Sequence, residues 1–329
     1  MISPAIFGCL STSLSAEEKA FFRDVNPYGY ILFARNCESP EQIRSLVEEL
    51  HACTSRYRLP ILIDQEGGRV ARLRPPHWPA FPSAQKLTQA KGNSQRAVYL
   101  NARLIALELA ALGITVNCAP LADIPVLGAH DIIGDRAYGN TAEAVISHAR
   151  AMANGLLDGG IVPVLKHIPG HGRANADSHL ELPVVDTSLA ELQATDFVPF
   201  KALNDLPMGM TAHVLYSAID DKNLATVSPR AIAMIRDEIG FDGLLMSDDL
   251  SMKAMAGDFT QRTKATLAAG CDVVLHCNGD MAEMQAISKG FQPLSGKNLE
   301  RATRAMQIPL TEVVFDAKEA RIELAGMLA

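Results

Sequence analysis

Near-continuous apolar runs recur along the chain at Ala5–Leu10, Gly29–Phe33, Pro60–Asp64, Ile114–Ala119, Val162–His167, Met208–His213, Leu244–Asp248 and Val273–Cys277. Their lack of alternation is the pattern required of parallel strands covered on both faces. Most of the segments between them carry helix punctuation. Ser15 with Glu18, Ser39 with Pro40 and Gln42, and Ser188 with Glu191 read as capping boxes, the second with proline at the first helical position. Asn93–Leu112, Ser228–Ile239 and Thr260–Ala269 stop at Gly113, Gly240 and Gly270, where left-handed C-caps are expected. The pattern is a βα repeat.

Eight such units predict an α/β fold, a single closed (β/α)8 barrel of TIM type; an open doubly wound sheet is the alternative if an end strand is misassigned. The polar residues favour the barrel. Asp64, Lys166, His167, His213 and Asp248 fall at or near C-terminal strand ends, His276 stands beside them, and Asp123 and His179 lie in the following loops. A barrel gathers those ends onto one rim. No long Ser/Gly/Pro linker, low-complexity tract or short internal repeat divides the chain. One catalytic barrel domain over 1–329 is therefore expected, with the helical segment after about Gln292 packed on its exterior.

At 329 residues, 48% of them hydrophobic, the chain can bury a large core. Its net charge of −7 without a basic block argues against a nucleic-acid groove, which needs clustered Lys and Arg. Arg69, Arg72 and Arg74 form only a local cluster, suited to a small anionic pocket or a solvated loop. No segment approaches the length of a membrane span, and the first residues lack the features of a secretory signal, so a cytoplasmic protein without membrane contact is expected. The six cysteines include no Cys-x-x-Cys pair, and several sit inside apolar runs, as free buried thiols do.

The densest chemistry lies in Lys166-His167-Ile168-Pro169-Gly170-His171-Gly172, followed by Asp177-Ser178-His179. Glycine permits close ligand approach in such a loop, and proline stiffens the turn. In an Asp-x-His arrangement the carboxylate can fix the imidazole tautomer while the other ring nitrogen addresses substrate, so Asp177 and His179 form a candidate acid/base pair. Asp248 directly follows a strongly apolar strand, where a carboxylate can attack or stabilise an electron-deficient carbon. Asp249 is its rival, because neighbours on an extended chain point opposite ways; alternatively, both cap the next helix. Asp64-Gln65-Glu66-Gly67-Gly68-Arg69-Val70-Ala71-Arg72 offers the mixture of acceptors and donors that neutral sugars need, with two glycines that allow a ligand close. Gly134-Asp135-Arg136-Ala137-Tyr138-Gly139 presents a further arginine, or is merely a turn.

Together, the Asp64–Val70 motif, Gly134-Asp135-Arg136, the Lys166–Gly172 loop, Asp177-Ser178-His179 and Ser247-Asp248-Asp249-Leu250-x-Met252 resemble family-three glycoside hydrolases. Within that family the resemblance is to the bacterial β-N-acetylhexosaminidase branch of peptidoglycan recycling. It implies a retaining exo-glycosidase that removes terminal β-linked N-acetylglucosamine from peptidoglycan-derived anhydromuropeptides. By the same resemblance Asp248 is the nucleophile, forming a covalent glycosyl intermediate, and His179 is the acid/base, assisted by Asp177. Asp64, Arg72, Arg136, Lys166 and His167 then bind the sugar. A histidine replaces the second carboxylate of most retaining glycosidases, and its ordinary pKa of about 6.5 lets it donate and recover a proton near neutrality. The expected partner is a small carbohydrate, the expected assembly a monomer, and no cofactor or metal is implied. Two positions depart from the family pattern: Ile168 replaces an expected aromatic residue, and Arg173-Ala174 an acidic or small polar pair.

Three other readings use the same residues. Glycosyl transfer to phosphate suits a histidine acid/base, which does not repel an anionic acceptor. A metal-dependent hydrolase would draw ligands from His167, His171, His179 and His213, although the chain lacks a His-Glu-x-x-His motif. A sugar-binding protein without catalysis would have no need of both Asp248 and the Asp177/His179 pair.

Overall fold

The computed structural model describes every residue except Tyr57, His179 and 308–313. Eight parallel strands close into a barrel: β1 (Ser3–Gly8), β2 (Pro27–Leu32), β3 (Ile61–Ile63), β4 (Val116–Asn117), β5 (Val162–Ile168), β6 (Met208–Thr211), β7 (Leu244–Asp249) and β8 (Val273–His276). Each apolar run of the sequence supplies one strand, and β1 pairs with β8 in register Ala5 to Val274, which excludes the open sheet. The predicted fourth strand is the most shortened. Pro120 lacks an N–H for the ladder, and beyond it only a bridge from Leu121 to Lys166 continues the pairing.

Helices α1 (Ala16–Val25), α2 (Pro40–His51), α3 (Ser94–Ala110), α4 (Ala142–Asp158), α5 (Leu189–Ala194), α6 (Pro229–Asp237), α7 (Phe259–Ala269) and α8 (Met281–Ser288) alternate with the strands. Ser15 and Glu18 form the full reciprocal box, the Glu18 N–H donating to Ser15 Oγ at 3.1 Å and the Ser15 N–H to Glu18 Oε2 at 2.8 Å. At Ser39 and Ser188 the hydroxyl caps alone, because Gln42 accepts from the Glu38 N–H and Glu191 pairs with Arg173. The chain leaves α3, α6 and α7 through Gly113, Gly240 and Gly270, all at positive φ.

Two apolar layers explain why the strands read as continuous runs. Ile31, Leu62, Val164, Met208, Met246 and Leu275 fill the barrel, while the alternate residues face the helices. The chain after Gln292 divides between two tasks. Helix α10 (Ala317–Leu328) packs against α3 on the exterior, but α9 (Gly296–Ala305) lies across the N-terminal end of the barrel. Its small Ala302 and Ala305 join the interior cluster, and the Tyr28 hydroxyl donates to the Ala302 carbonyl at 2.9 Å. Arg301 of α9 reaches the fully buried Asp272 at 3.3 Å, which also accepts from Arg236 at 2.7 Å and from the Leu245 N–H at 2.8 Å. Among the described residues no helix is long and apolar enough to cross a membrane.

Candidate active site

The C-terminal strand ends enclose a cavity of about 450 Å³, and Asp64, Arg72, Arg136, Lys166, His167 and Asp248 all line it. Of the remaining sequence candidates, His179 lies outside the described residues and Asp177 is half-buried in the adjoining loop. Ser178, between them, lines the cavity. Its hydroxyl donates to Met252 Sδ at 3.6 Å and its carbonyl accepts from the Ala254 N–H at 3.3 Å, tying this loop to the one after β7.

The binding wall begins where β3 runs out. Gln65–Gly67 and Val70–Ala71 pair as a small antiparallel hairpin that turns Arg72 back onto Asp64, with Nη2 to Oδ2 at 3.0 Å. The buried Gln65 amide pins the fold-back, accepting from the Arg72 and Leu73 N–H groups and donating to the Leu73 carbonyl. The glycine pair serves packing here, not ligand approach. Gly67 and Gly68 have positive φ, and a Cβ on them would meet the backbone carbonyl of Pro82 and the side chain of Ser83.

Lys166, at the end of β5, reaches both Asp64 at 3.0 Å and Glu66 at 2.6 Å. Glu66 also accepts a two-pronged contact from Arg136, at 2.9 and 2.8 Å. Burial alone would raise the Glu66 pKa, but Arg136 and then Lys166 hold it far below the usual carboxylate range. Burial would likewise lower Lys166, yet Asp64 and Glu66 push it up. The wall is therefore a preassembled array of full charges, which suits hydroxyl groups that must be oriented without rearranging the protein.

A second carboxylate organises the histidine loop. Asp123 is fully buried and accepts from His167 Nδ1 at 2.8 Å and from the His171 N–H at 2.6 Å. Burial works against its ionisation, but His167 and then His171 hold the Asp123 pKa below its ordinary value. This orientation leaves His167 Nε2 for the cavity. The His171 ring lies edge-on to His167 at 5.6 Å; burial, then His167, pushes its pKa down to about 4, and its Nδ1 has no hydrogen-bond partner among the described residues. Gly172 is needed because a Cβ there would collide with the Ile124 backbone.

Asp248 and its neighbour separate by their partners. The Asp249 carboxylate accepts from the Ser251 N–H at 3.0 Å, the Ser251 hydroxyl at 2.6 Å and the Cys277 N–H at 3.2 Å, which occupies it in the turn. Both residues line the cavity, but the Asp248 carboxylate is not tied into that turn and accepts from the Asp249 N–H at 2.8 Å. Two strand-end histidines do not join the site. His213 is fully buried with both ring nitrogens engaged, and His276 is fully buried against Phe7 and Phe259.

Glu66 and Asp123 are the positions around the cavity to which sequence reasoning gave no role. Both fall in segments it had singled out, but their partners are distant in sequence. The two departures from the family pattern have structural outlets. Ile168 is buried over Gly209, and Arg173 anchors the loop to Asp196 at 2.7 Å and Glu191 at 3.0 Å. Among the described residues, no three His, Cys, Asp or Glu side chains form a metal-holding group.

Residues 7–307 match the profile described as glycosyl hydrolase family 3 N-terminal domain. Curated beta-hexosaminidases of Alkalilimnicola ehrlichii and Methylococcus capsulatus are 41% identical over 291 residues and 40% over 278. These matches cover 84% and 83% of this chain and 81% and 82% of the relatives. Among solved structures, NagZ from Neisseria gonorrhoeae in complex with N-trifluoroacetyl-D-glucosamine is similar at a TM-score of 0.88 and 32% identity, over 99% of this chain and 98% of that one.

Proposed function

The chain belongs to glycosyl hydrolase family 3 and is a glycoside hydrolase, and from that premise we propose that it is a β-hexosaminidase releasing terminal β-linked N-acetylglucosamine with retention of configuration. The observation that carries this reading is Asp248, a carboxylate in the same cavity as the charged binding wall. In the first step Asp248 attacks the anomeric carbon as the glycosidic C–O bond breaks, and His179, supported by Asp177, gives its proton to the departing oxygen. In the second, His179 takes a proton from water while the water oxygen attacks the anomeric carbon and frees Asp248. The Asp249 N–H favours the ionised nucleophile. Asp64, Arg72, Arg136, Lys166 and His167 hold the sugar hydroxyls. The natural substrates in this reading are peptidoglycan-derived anhydromuropeptides, met by a monomer in the cytoplasm. The Lys166–Gly172 and Asp177–His179 motifs support that choice, as does the N-acylated glucosamine named with the Neisseria NagZ.

Asp248→Asn tests the reading with 4-nitrophenyl N-acetyl-β-glucosaminide. The expected result is a loss of kcat on the order of 10⁴-fold or more at unchanged thermal stability. If Asp249→Asn abolishes turnover and Asp248→Asn does not, the nucleophile is misassigned. Proton NMR of the wild-type product should show the β-anomer of free N-acetylglucosamine first. Sugar 1-phosphate as the main product in phosphate buffer would replace hydrolysis by phosphorolysis.

A further inference from the structure

His213 leaves β6 two residues after Thr211, and no part of it touches solvent. Its Nε2 lies 3.0 Å from the Asp249 carbonyl oxygen. A carbonyl can only accept, so this nitrogen carries the ring proton. Nδ1 lies 2.7 Å from Thr226 Oγ1, which in turn lies 2.8 Å from Thr211 Oγ1. Burial, opposed by Asp248, lowers the His213 pKa and keeps the ring neutral near pH 7. In the neutral ring Nδ1 accepts, so the Thr226 hydroxyl donates to it and accepts from Thr211. The Ala212 carbonyl, 3.2 Å from Thr226 Oγ1, is the weaker competing acceptor. Donors and acceptors thus run in one direction, from Thr211 through Thr226 and His213 to Asp249.

We infer that His213 is a positioning residue for Asp248, acting through the backbone of Asp249; this rests on the assignment of Asp248 as nucleophile. Residue 249 is fixed at each of its polar groups. Its N–H donates to the Asp248 carboxylate at 2.8 Å, its own carboxylate is held by Ser251 and the Cys277 N–H, and its carbonyl is held by His213 at 3.0 Å and the Met252 N–H at 3.1 Å. Removing the imidazole donor leaves the Asp249 carbonyl with the Met252 N–H alone, at 3.1 Å, and so loosens the hold on residue 249. Rotation at the Asp249 Cα can then pass to the preceding peptide, whose N–H steadies the nucleophile. Misplacement of a reacting group by about 1 Å is enough to cost about 10²-fold in rate.

The test compares His213→Met, which fills the space without a donor, with His213→Gln, which restores an N–H. With 4-nitrophenyl N-acetyl-β-glucosaminide, kcat of the methionine variant should fall about 10–100-fold with KM within about twofold, and glutamine should recover most of the loss. A merely structural role would lower thermal stability in both variants without this split. Imidazole ¹⁵N NMR of the wild type should show the Nε2–H tautomer at pH 7, and Thr226→Val, which removes the donor to Nδ1, should cost kcat a few-fold, about 3–10. The inference fails if His213→Met keeps kcat within about twofold of wild type, or if glutamine is no better than methionine. If the methionine variant does not fold, an Nδ1–H tautomer or a fully active Thr226→Val overturns it instead. Asp248→Asn run alongside separates the two levels. If that variant stays active the nucleophile assignment is wrong, whereas an inactive Asp248→Asn beside a fully active His213→Met removes only the role of His213.

Discussion

Each end of the barrel carries a cluster of three cations and two carboxylates, buried or half-buried at the C-terminal end but with Asp242 and Arg304 exposed at the N-terminal end. At the N-terminal end Arg236, Arg301 and Arg304 face Asp272 and Asp242; at the C-terminal end Arg72, Arg136 and Lys166 face Asp64 and Glu66. The count of charges is equal, but its effect on the buried carboxylate differs. Burial pushes the Asp272 pKa up and Arg236 only partly offsets it, while Glu66 is held far below its ordinary value against the same opposing burial. The lower cluster is completed by Arg301 and Arg304 of α9, with only Asp242 and Arg304 of its five members lining a surface cavity. The upper one has a cavity on its open side. Ion pairing alone therefore does not mark a site, since a buried pair contributes little net stability in either place. What marks the upper cluster is that Asp64, Arg72, Arg136 and Lys166 all line one cavity together with Asp248.

Matched substitutions can break that contrast. Arg236→Met strips Asp272 of its nearest cation and should cost about 3–5 kcal/mol of folding stability by urea titration, with kcat/KM per folded molecule nearly unchanged. Arg136→Met should do the reverse. Glu66 retains Lys166 at 2.6 Å, closer than the Arg301 that Asp272 retains at 3.3 Å, so stability falls less, but kcat/KM should drop by about 100-fold through the loss of a charged hydrogen-bonding group from the wall. Full activity in Arg136→Met, with a stability loss matching that of Arg236→Met, would make both clusters structural.

The smallest expected effect separates the ends by pH. His171 titrates near 4 when folded, against an ordinary value of about 6.5, so the unfolded chain binds the extra proton between those values. Its contribution to stability is whole above about pH 6.5, declines as pH falls towards 4, and is gone below. His171→Gln should therefore narrow the gap to wild type by about 1–3 kcal/mol between pH 7.5 and pH 4, read from urea midpoints at each pH. A constant gap would show that the folded ring does not resist protonation.

Legibility in the sequence followed the range of the interactions. Asp248, Lys166 and His167 were visible because an apolar run followed by polar residues marks the end of a buried strand, a local pattern. Arg72 could not be told from Arg69 and Arg74 in this way. Only the hairpin turns it to the cavity, whereas Arg69 caps the carbonyls of 131–133 and Arg74 those of its own loop. Glu66 and Asp123 were silent because the residues that use them, Arg136 and His167, lie 70 and 44 positions away. Helix α9 misled for a related reason. An amphipathic helix with a small-residue face has the same pattern whether it covers the side of a barrel or its end.

That end-covering helix also sets a condition on how the molecule is made. The ring cannot close until β8 is available to pair with β1, and its floor is missing until Ala302 and Ala305 have followed. A chain emerging from the ribosome at about 5–20 residues per second therefore spends most of its synthesis with interior residues such as Ile31 and Leu62 lacking a cover that is encoded well over two hundred positions downstream.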